Sequence, residues 1–125
     1  MIEKWRLLDT GLNDAFYNMA LDEAISIARS KGIAPNTIRF YRWRPPAVSI
    51  GYFQSMKEEV DIEACDKLGI DYVRRRTGGG AVYHDTEGEL TYSIIVNETH
   101  RLISRDIQET YRILCSGLVL GLRQL

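Results

Sequence analysis

The chain has 125 residues, 45% hydrophobic and 26% charged, with 16 basic side chains against 17 acidic ones. That is the make-up of an ordinary globular domain or a piece of one, and it excludes a disordered chain and a general nucleic-acid binder, which carries a basic excess. No apolar run is long enough to cross a membrane, and the opening Met1-Ile2-Glu3-Lys4-Trp5 lacks a secretory signal. Cys65 and Cys115 lie far apart without metal-ligand spacing, so both are expected to be buried thiols in a reducing, cytoplasmic setting.

Residues 5 to 8 form a short apolar stretch, and Asp9-Thr10-Gly11 after them predicts a strand entering a turn. Asn13 or Asp14 then caps a helix in which Phe16, Met19, Ala20, Ala24 and Ile27 recur at helical spacing, with Gly32 as its stop. Asp22 and Glu23 belong to this helix and read as its solvated polar face. Residues 38–43, rich in β-branched and aromatic side chains, and the apolar run 47–52 predict two strands separated by the turn at Pro45-Pro46. Gly51 beside Tyr52 and Phe53 reads either as a strand-end glycine next to core aromatics or as a place where a long apolar ligand lies against bare backbone.

Residues 60–68 suit a short helix with Asp61 in its first turn and Gly69 after it. A strand over 70–73 and another over 90–96 then bracket Arg74-Arg75-Arg76-Thr77-Gly78-Gly79-Gly80-Ala81-Val82-Tyr83-His84-Asp85. Asp106 begins a long helix with Ile107, Tyr111, Leu114, Leu118, Leu122 and Leu125 on one face. That face is expected to be buried, and the absence of a stop signal after Leu125 leads us to expect a continuation. His100 reads as an ordinary polar residue.

The glycine triplet carries the chemistry. Three consecutive glycines cost backbone entropy and bury no side chain, so their use is to bring main-chain N–H groups close to a ligand. Arginines beside them make that ligand an anion, a phosphate or a carboxylate. The run is no Walker A loop, because it lacks the Gly-Lys-Ser/Thr ending and leads into a strand pattern, and it is no dinucleotide fingerprint, because its glycines are contiguous.

This run resembles the signature loop of the lipoate-protein ligase A family, within the superfamily that includes biotin protein ligases and octanoyltransferases. Trp5-Arg6-Leu7-Leu8, Phe16-Tyr17-Asn18-Met19-Ala20-Leu21-Asp22-Glu23, and Arg39 to Trp43 with Ser49 to Gln54 agree in order and spacing. The resemblance covers nearly the whole chain but only the N-terminal half of a typical member. It implies an α+β fold over residues 1–125, a mixed β-sheet flanked by helices similar to the biotin/lipoyl protein ligase catalytic domain, and incomplete.

Carried over by position, the resemblance implies that ATP and the acyl-adenylate meet Arg75, Gly80, Ala81, Val82 and Tyr83, together with Arg74, Gly78 and Gly79. His84 and Asp85 are expected to support the loop, and Arg76 to be solvated. No metal site is expected. The implied activity is a lipoate-protein ligase: ATP, with Mg2+, activates lipoate to lipoyl-AMP, and the acyl group passes to a lysine of lipoyl domains of 2-oxoacid dehydrogenase E2 or of the glycine cleavage H protein. The catalytic lysine of the ligases, or the cysteine of the octanoyltransferases, is expected beyond this chain, on a further segment or a complementary C-terminal chain. Lys57, Lys67, Cys65 and Cys115 do not match either position. The alternatives are an octanoyltransferase that draws on acyl carrier protein without ATP, and a non-catalytic fragment or subunit. The loop favours the ligase, while residues 5 to 54 look at least as much like the transferase. No nucleic-acid or membrane partner is expected.

Overall fold

The computed structural model describes residues 2–125 and divides the chain into two compact units, one reaching to Ile95 and the other spanning Val96–Leu125. The first unit holds two three-stranded sheets. One is ordered β1–β2–β6, from β1 (Arg6–Asn13), β2 (Thr37–Trp43) and β6 (Thr91–Ile95); the other is ordered β4–β3–β5, from β3 (Ala47–Ile50), β4 (Asp71–Arg74) and β5 (Val82–His84). Each has one parallel pair, β1 with β2 or β3 with β4, and one antiparallel strand on the other side of the centre. Both are therefore mixed, and helices form the parallel crossovers, as the geometry of parallel pairing requires.

Helix α1 (Ala15–Ser30) links β1 to β2, and its N-terminus is capped by Asp14, whose carboxylate accepts from Tyr17 N at 2.7 Å. The crossover from β3 to β4 carries two short helices, α2 (Met56–Glu59) and α3 (Ile62–Leu68). Asp61 caps α3 rather than lying in its first turn, and Gly69 closes it in the left-handed conformation at φ 67°. β1 does not end at Gly11: the strand runs to Asn13 through an irregularity between Asp9 and Leu12, and Gly11 takes φ 68° there.

One buried cluster, Ala15, Tyr41, Trp43 and Ala47 with Met19 and Val73 against it, sits where α1 meets both sheets. A second, Ile50, Val60 and Cys65 with Val48, Met56, Ile62, Ile70 and Tyr72, fills the space under α2 and α3. Along β2 the alternate residues Thr37, Arg39, Tyr41 and Trp43 face inward. Arg39 is thus fully buried, and Asp22 of α1 meets it at 2.7 Å. Asp22 also accepts from Ser93 Oγ at 2.6 Å and Tyr41 Oη at 3.2 Å, while Arg39 reaches Asn18 and Thr10. The expectation that Asp22 belongs to a solvated face is corrected: burying a guanidinium requires a carboxylate partner, and α1 supplies it.

In the second unit, Asp106 caps α4 (Ile107–Leu122) by accepting from Gln108 N and Glu109 N. No residue of α4 is buried, and Ile107, Tyr111, Leu122 and Leu125 are exposed. The burial expected of that face is not found within the described residues. Among them no helix is long and apolar enough to cross a membrane.

Candidate functional site

The glycine loop joins β4 to β5, which lie on opposite sides of β3, so it is not the turn of a hairpin but a crossing over the C-terminal end of β3. The crossing seats it on the residue after that strand. Gly51 is buried, and a Cβ there would stand 2.0 Å from Gly79 O. Gly51 does follow the end of β3, as the strand-end reading expects, but the aromatics after it are not core residues. The space beside it is filled by the loop's own peptide, while Tyr52 and Phe53 are exposed and stack edge to face, with centroids 5.1 Å apart.

The loop's carbonyl groups turn inward. Thr77 O accepts from Tyr52 N at 2.9 Å, and Gly78 O and Gly80 O accept from Arg75 Nη2 at 3.0 and 2.9 Å. A trans peptide directs its N–H opposite to its C=O. The N–H groups of Gly78, Gly79 and Ala81 are therefore aimed outward, and none has a protein partner among the described residues. Gly79 is the one non-standard backbone in the loop, with φ 98°.

Arg75 organises this arrangement. Its backbone N–H bonds Ile50 O, its Nη1 donates to Ser49 O at 3.0 Å and Ser49 Oγ at 2.8 Å, and its Nη2 holds the two glycine carbonyls. Burial draws its pKa below the usual arginine value, and the Tyr41 hydroxyl acts in the opposite sense. Arg74 turns the other way and gathers Gly51 O, Tyr52 O and Gln54 O on one nitrogen, Nη1. Arg76, expected to be solvated, is exposed but pairs with Glu23 at 2.8 Å.

At the loop's exit, His84 is buried, stacked on Trp43 with centroids 4.1 Å apart. Its Nε2 lies 2.7 Å from Ser49 Oγ and its Nδ1 2.7 Å from Glu89 Oε1. Glu89 also accepts from Thr91 Oγ1, which in turn accepts from Trp43 Nε1 at 2.8 Å. Ser49, His84 and Glu89 thus have the spacing of a hydrolytic triad, yet Ser49 is fully buried and its oxygen is held by Arg75, so no substrate reaches it. Asp85 accepts from Glu87 N and Gly88 N and shapes the following turn.

Beside the loop lies a cleft of about 350 Å³ lined by Phe16, Met19, Ala20, Glu23, Tyr52, Val73 and Arg74 to Arg76. Its walls are mostly apolar and its basic side is the start of the loop; Gly78 to Tyr83 do not line it. Among the described residues no group of three or more His, Cys, Asp or Glu side chains can hold a metal ion. Of the two thiols, Cys65 is buried, which raises its pKa with help from Asp61 and Asp66, and Cys115 is only partly covered rather than buried. Sequence reasoning missed Ser49, Glu89 and Thr91 as members of the site. A serine inside the apolar run Ala47–Ile50 was the one available signal for them.

Residues 14–125 match the family model of the lipoyl protein ligase A/B catalytic domain. The chain is 49% identical over 123 residues to the octanoyltransferase LipM of Moorella thermoacetica, and 45% identical over 125 residues to LipM of Staphylococcus aureus; it covers 98% and 100% of itself and 44% and 45% of them. Among solved structures it is similar to a T. acidophilum protein described as a candidate lipoate protein ligase, with lipoic acid bound (TM-score 0.77, 39% identity, 100% of this chain and 48% of that one). It is also similar to a lipoate-protein ligase A bound with ATP (TM-score 0.68, 38% identity, 97% and 48%). It spans less than half the length of each of these relatives. With its two mixed sheets, its crossing glycine loop and a family match over nearly its whole length, the chain belongs to the lipoyl protein ligase A/B catalytic domain family.

Proposed function

We propose that this chain provides the acyl-binding front half of an octanoyltransferase that moves an octanoyl group from acyl carrier protein to a lysine of a lipoyl domain. The observation that carries this reading is the identity of 45 to 50% with octanoyltransferases over nearly all its residues, against 35 to 39% with the ligase structures that cover it best. It reverses the order expected from the loop alone, which favoured the ATP-dependent ligase. The Gly-Gly-Gly-Ala-Val run resembles the ligases, but the bulk of the sequence lies nearer to the transferases.

The geometry supports an acyl group in the cleft beside the loop. A volume of about 350 Å³ falls at the low end of the range of roughly 300 to 1,000 Å³ for small-molecule sites. Phe16, Met19, Ala20 and Val73 offer an apolar wall for the chain, and the outward N–H groups of Gly78, Gly79 and Ala81 offer donors to an oxygen that gains negative charge as the carbonyl is attacked. Arg74 stands at the cleft's basic edge, and Gly80 to Tyr83 continue the loop beyond its lining. The nucleophile, a cysteine in this reading, comes from a further segment or a complementary chain, and residues 1–125 alone transfer no acyl group. The lipoyl domain is the acceptor, consistent with a bi-partite lipoate protein ligase studied with its E2 lipoyl domain, to which this chain is 35% identical. We place the reaction in the cytoplasm.

A ligase is the second reading, favoured by the likeness to ligases holding lipoic acid and ATP. In that case ATP would arrive with its own Mg2+, the loop donors would face phosphate oxygens, and a lysine from beyond the chain would complete the site.

The protein in its native genomic context, incubated with a lipoyl domain, separates the two. Octanoyl transfer from octanoyl-acyl carrier protein without ATP is expected. Modification that requires ATP and free lipoate, with no transfer from the carrier protein, would replace the first reading by the second. Lipoyl-domain modification by residues 1–125 alone would refute the need for a further catalytic group.

A further inference from the structure

We propose that Glu89, His84 and Ser49 form a directed hydrogen-bond relay that positions Arg75, and through it turns the glycine loop so that its amides face the ligand. The inference rests on the loop being the ligand-facing element, and it assigns positioning roles to Ser49 and Glu89.

The direction of the relay follows from its donors and acceptors. Glu89 is a carboxylate that already accepts from Thr91, so it takes the Nδ1–H of His84. That leaves Nε2 as the acceptor, a tautomer fixed by the network. Ser49 therefore donates its hydroxyl proton to Nε2 at 2.7 Å, and its lone pairs are free for Arg75 Nη1 at 2.8 Å. With Nη1 clamped on Ser49, Nη2 is aimed along the guanidinium plane at Gly78 O and Gly80 O. The other tautomer would set a bare Nδ1 lone pair against the Glu89 carboxylate at 2.7 Å, an acceptor facing an acceptor.

The relay is anchored at both ends. Trp43 of β2 stacks on His84 of β5 and donates to Thr91 of β6, so the two sheets jointly hold the ring. Ser49, His84 and Trp43 are all buried, which removes competing water and makes each partner's position depend on the next. Nothing else in the described chain holds Gly78 O or Gly80 O.

The test needs no substrate, so it separates from the identity of the reaction. In the complete protein that carries these residues, backbone 15N order parameters are measured for Gly78 to Ala81 in the parent, Ser49→Ala, Arg75→Ala and the double variant. The parent loop is expected near the rigid value of about 0.85, falling below about 0.6 in both single variants, while β2 and β6 stay unchanged. The double variant should be no more mobile than Arg75→Ala alone, since both changes cut one path. Order parameters that stay at the parent value in Ser49→Ala, or that fall additively in the double variant, would overturn the relay. Should Ser49→Ala fail to fold, Glu89→Ala and Glu89→Gln replace it. Glu89→Ala should loosen the loop and Glu89→Gln, which keeps an acceptor oxygen, should restore it; equal mobility in the two would again overturn the proposal.

Discussion

Gly51 and Gly79 meet backbone to backbone, so closely that a methyl group on Gly51 would stand 2.0 Å from Gly79 O. The contact fixes how the loop crosses β3, because no side chain fits between them. Substituting Gly51→Ala is expected to push the loop off its seat and to cost about 1–3 kcal/mol through overpacking. Denaturant unfolding measures the stability loss, and acyl transfer by the completed enzyme should fall with it. A variant with parental stability and activity would show that the loop finds another seat.

The loop's own conformation gives a second prediction. Gly79 has φ 98°, a region side chains avoid, and a Cβ there would lie 3.4 Å from Arg75 Nη2. Gly79→Val should cost about 1–3 kcal/mol in backbone strain and disturb the outward N–H groups, so ligand binding should weaken beyond what the stability loss explains. Titration of the folded variant with an octanoyl ligand tests this. Affinity equal to the parent's would count against the role of the amides.

Arg75 should tolerate no replacement. Its two terminal nitrogens serve four acceptors, and a lysine has three hydrogens on a single point. Arg75→Ala and Arg75→Lys are both expected to lower octanoyl transfer, or adenylate formation if the enzyme is a ligase, by at least about a hundredfold, the scale of losing oxyanion donors. Steady-state rates measure it. Activity in Arg75→Lys near the parent's would mean that charge alone matters.

Asp22 and Arg39 form the buried ion pair that ties α1 to β2, with side-chain exposures of 22% and 0%. Asp22→Ala strands a buried guanidinium and should destabilise by about 3–5 kcal/mol, read from urea unfolding. Because α1 carries Phe16, Met19 and Glu23 into the cleft wall, the same variant should also lose acyl affinity.

Tyr41 sets an alkaline limit. Burial, with the nearby Asp22 carboxylate, pushes its pKa well above the ordinary tyrosine value. An acid whose folded pKa is raised favours folding while both states are protonated. That contribution is lost as the unfolded chain begins to ionise, above about pH 10. Stability should therefore fall with rising pH above that point, and Tyr41→Phe should show a shallower fall. Parallel stability–pH curves for parent and variant would refute the assignment.

Most of the strands and helices, the caps at Asp14 and Asp106 and the closing Gly69 were legible in the sequence, whereas α2 was not expected and β5 lies inside the stretch read as a loop. The legible features depend on local periodicity, capping chemistry and composition. Which sheet each strand joins was not legible, because pairing partners are distant in the chain: β4 and β5 flank the glycine loop in sequence and are separated by β3 in space. The inward face of β2 was equally hidden. Its apolar residues occupy both parities, so nothing in Thr37 to Trp43 says that Arg39 is buried until Asp22 arrives to neutralise it. Ser49, His84 and Glu89 come from β3, β5 and the turn before β6, and only the joining of the two sheets through Trp43 brings them into one hydrogen-bonded line. Residue types and their local spacing determined that a glycine- and arginine-rich loop follows the strand at 70–73; long-range packing decided which way its amides point.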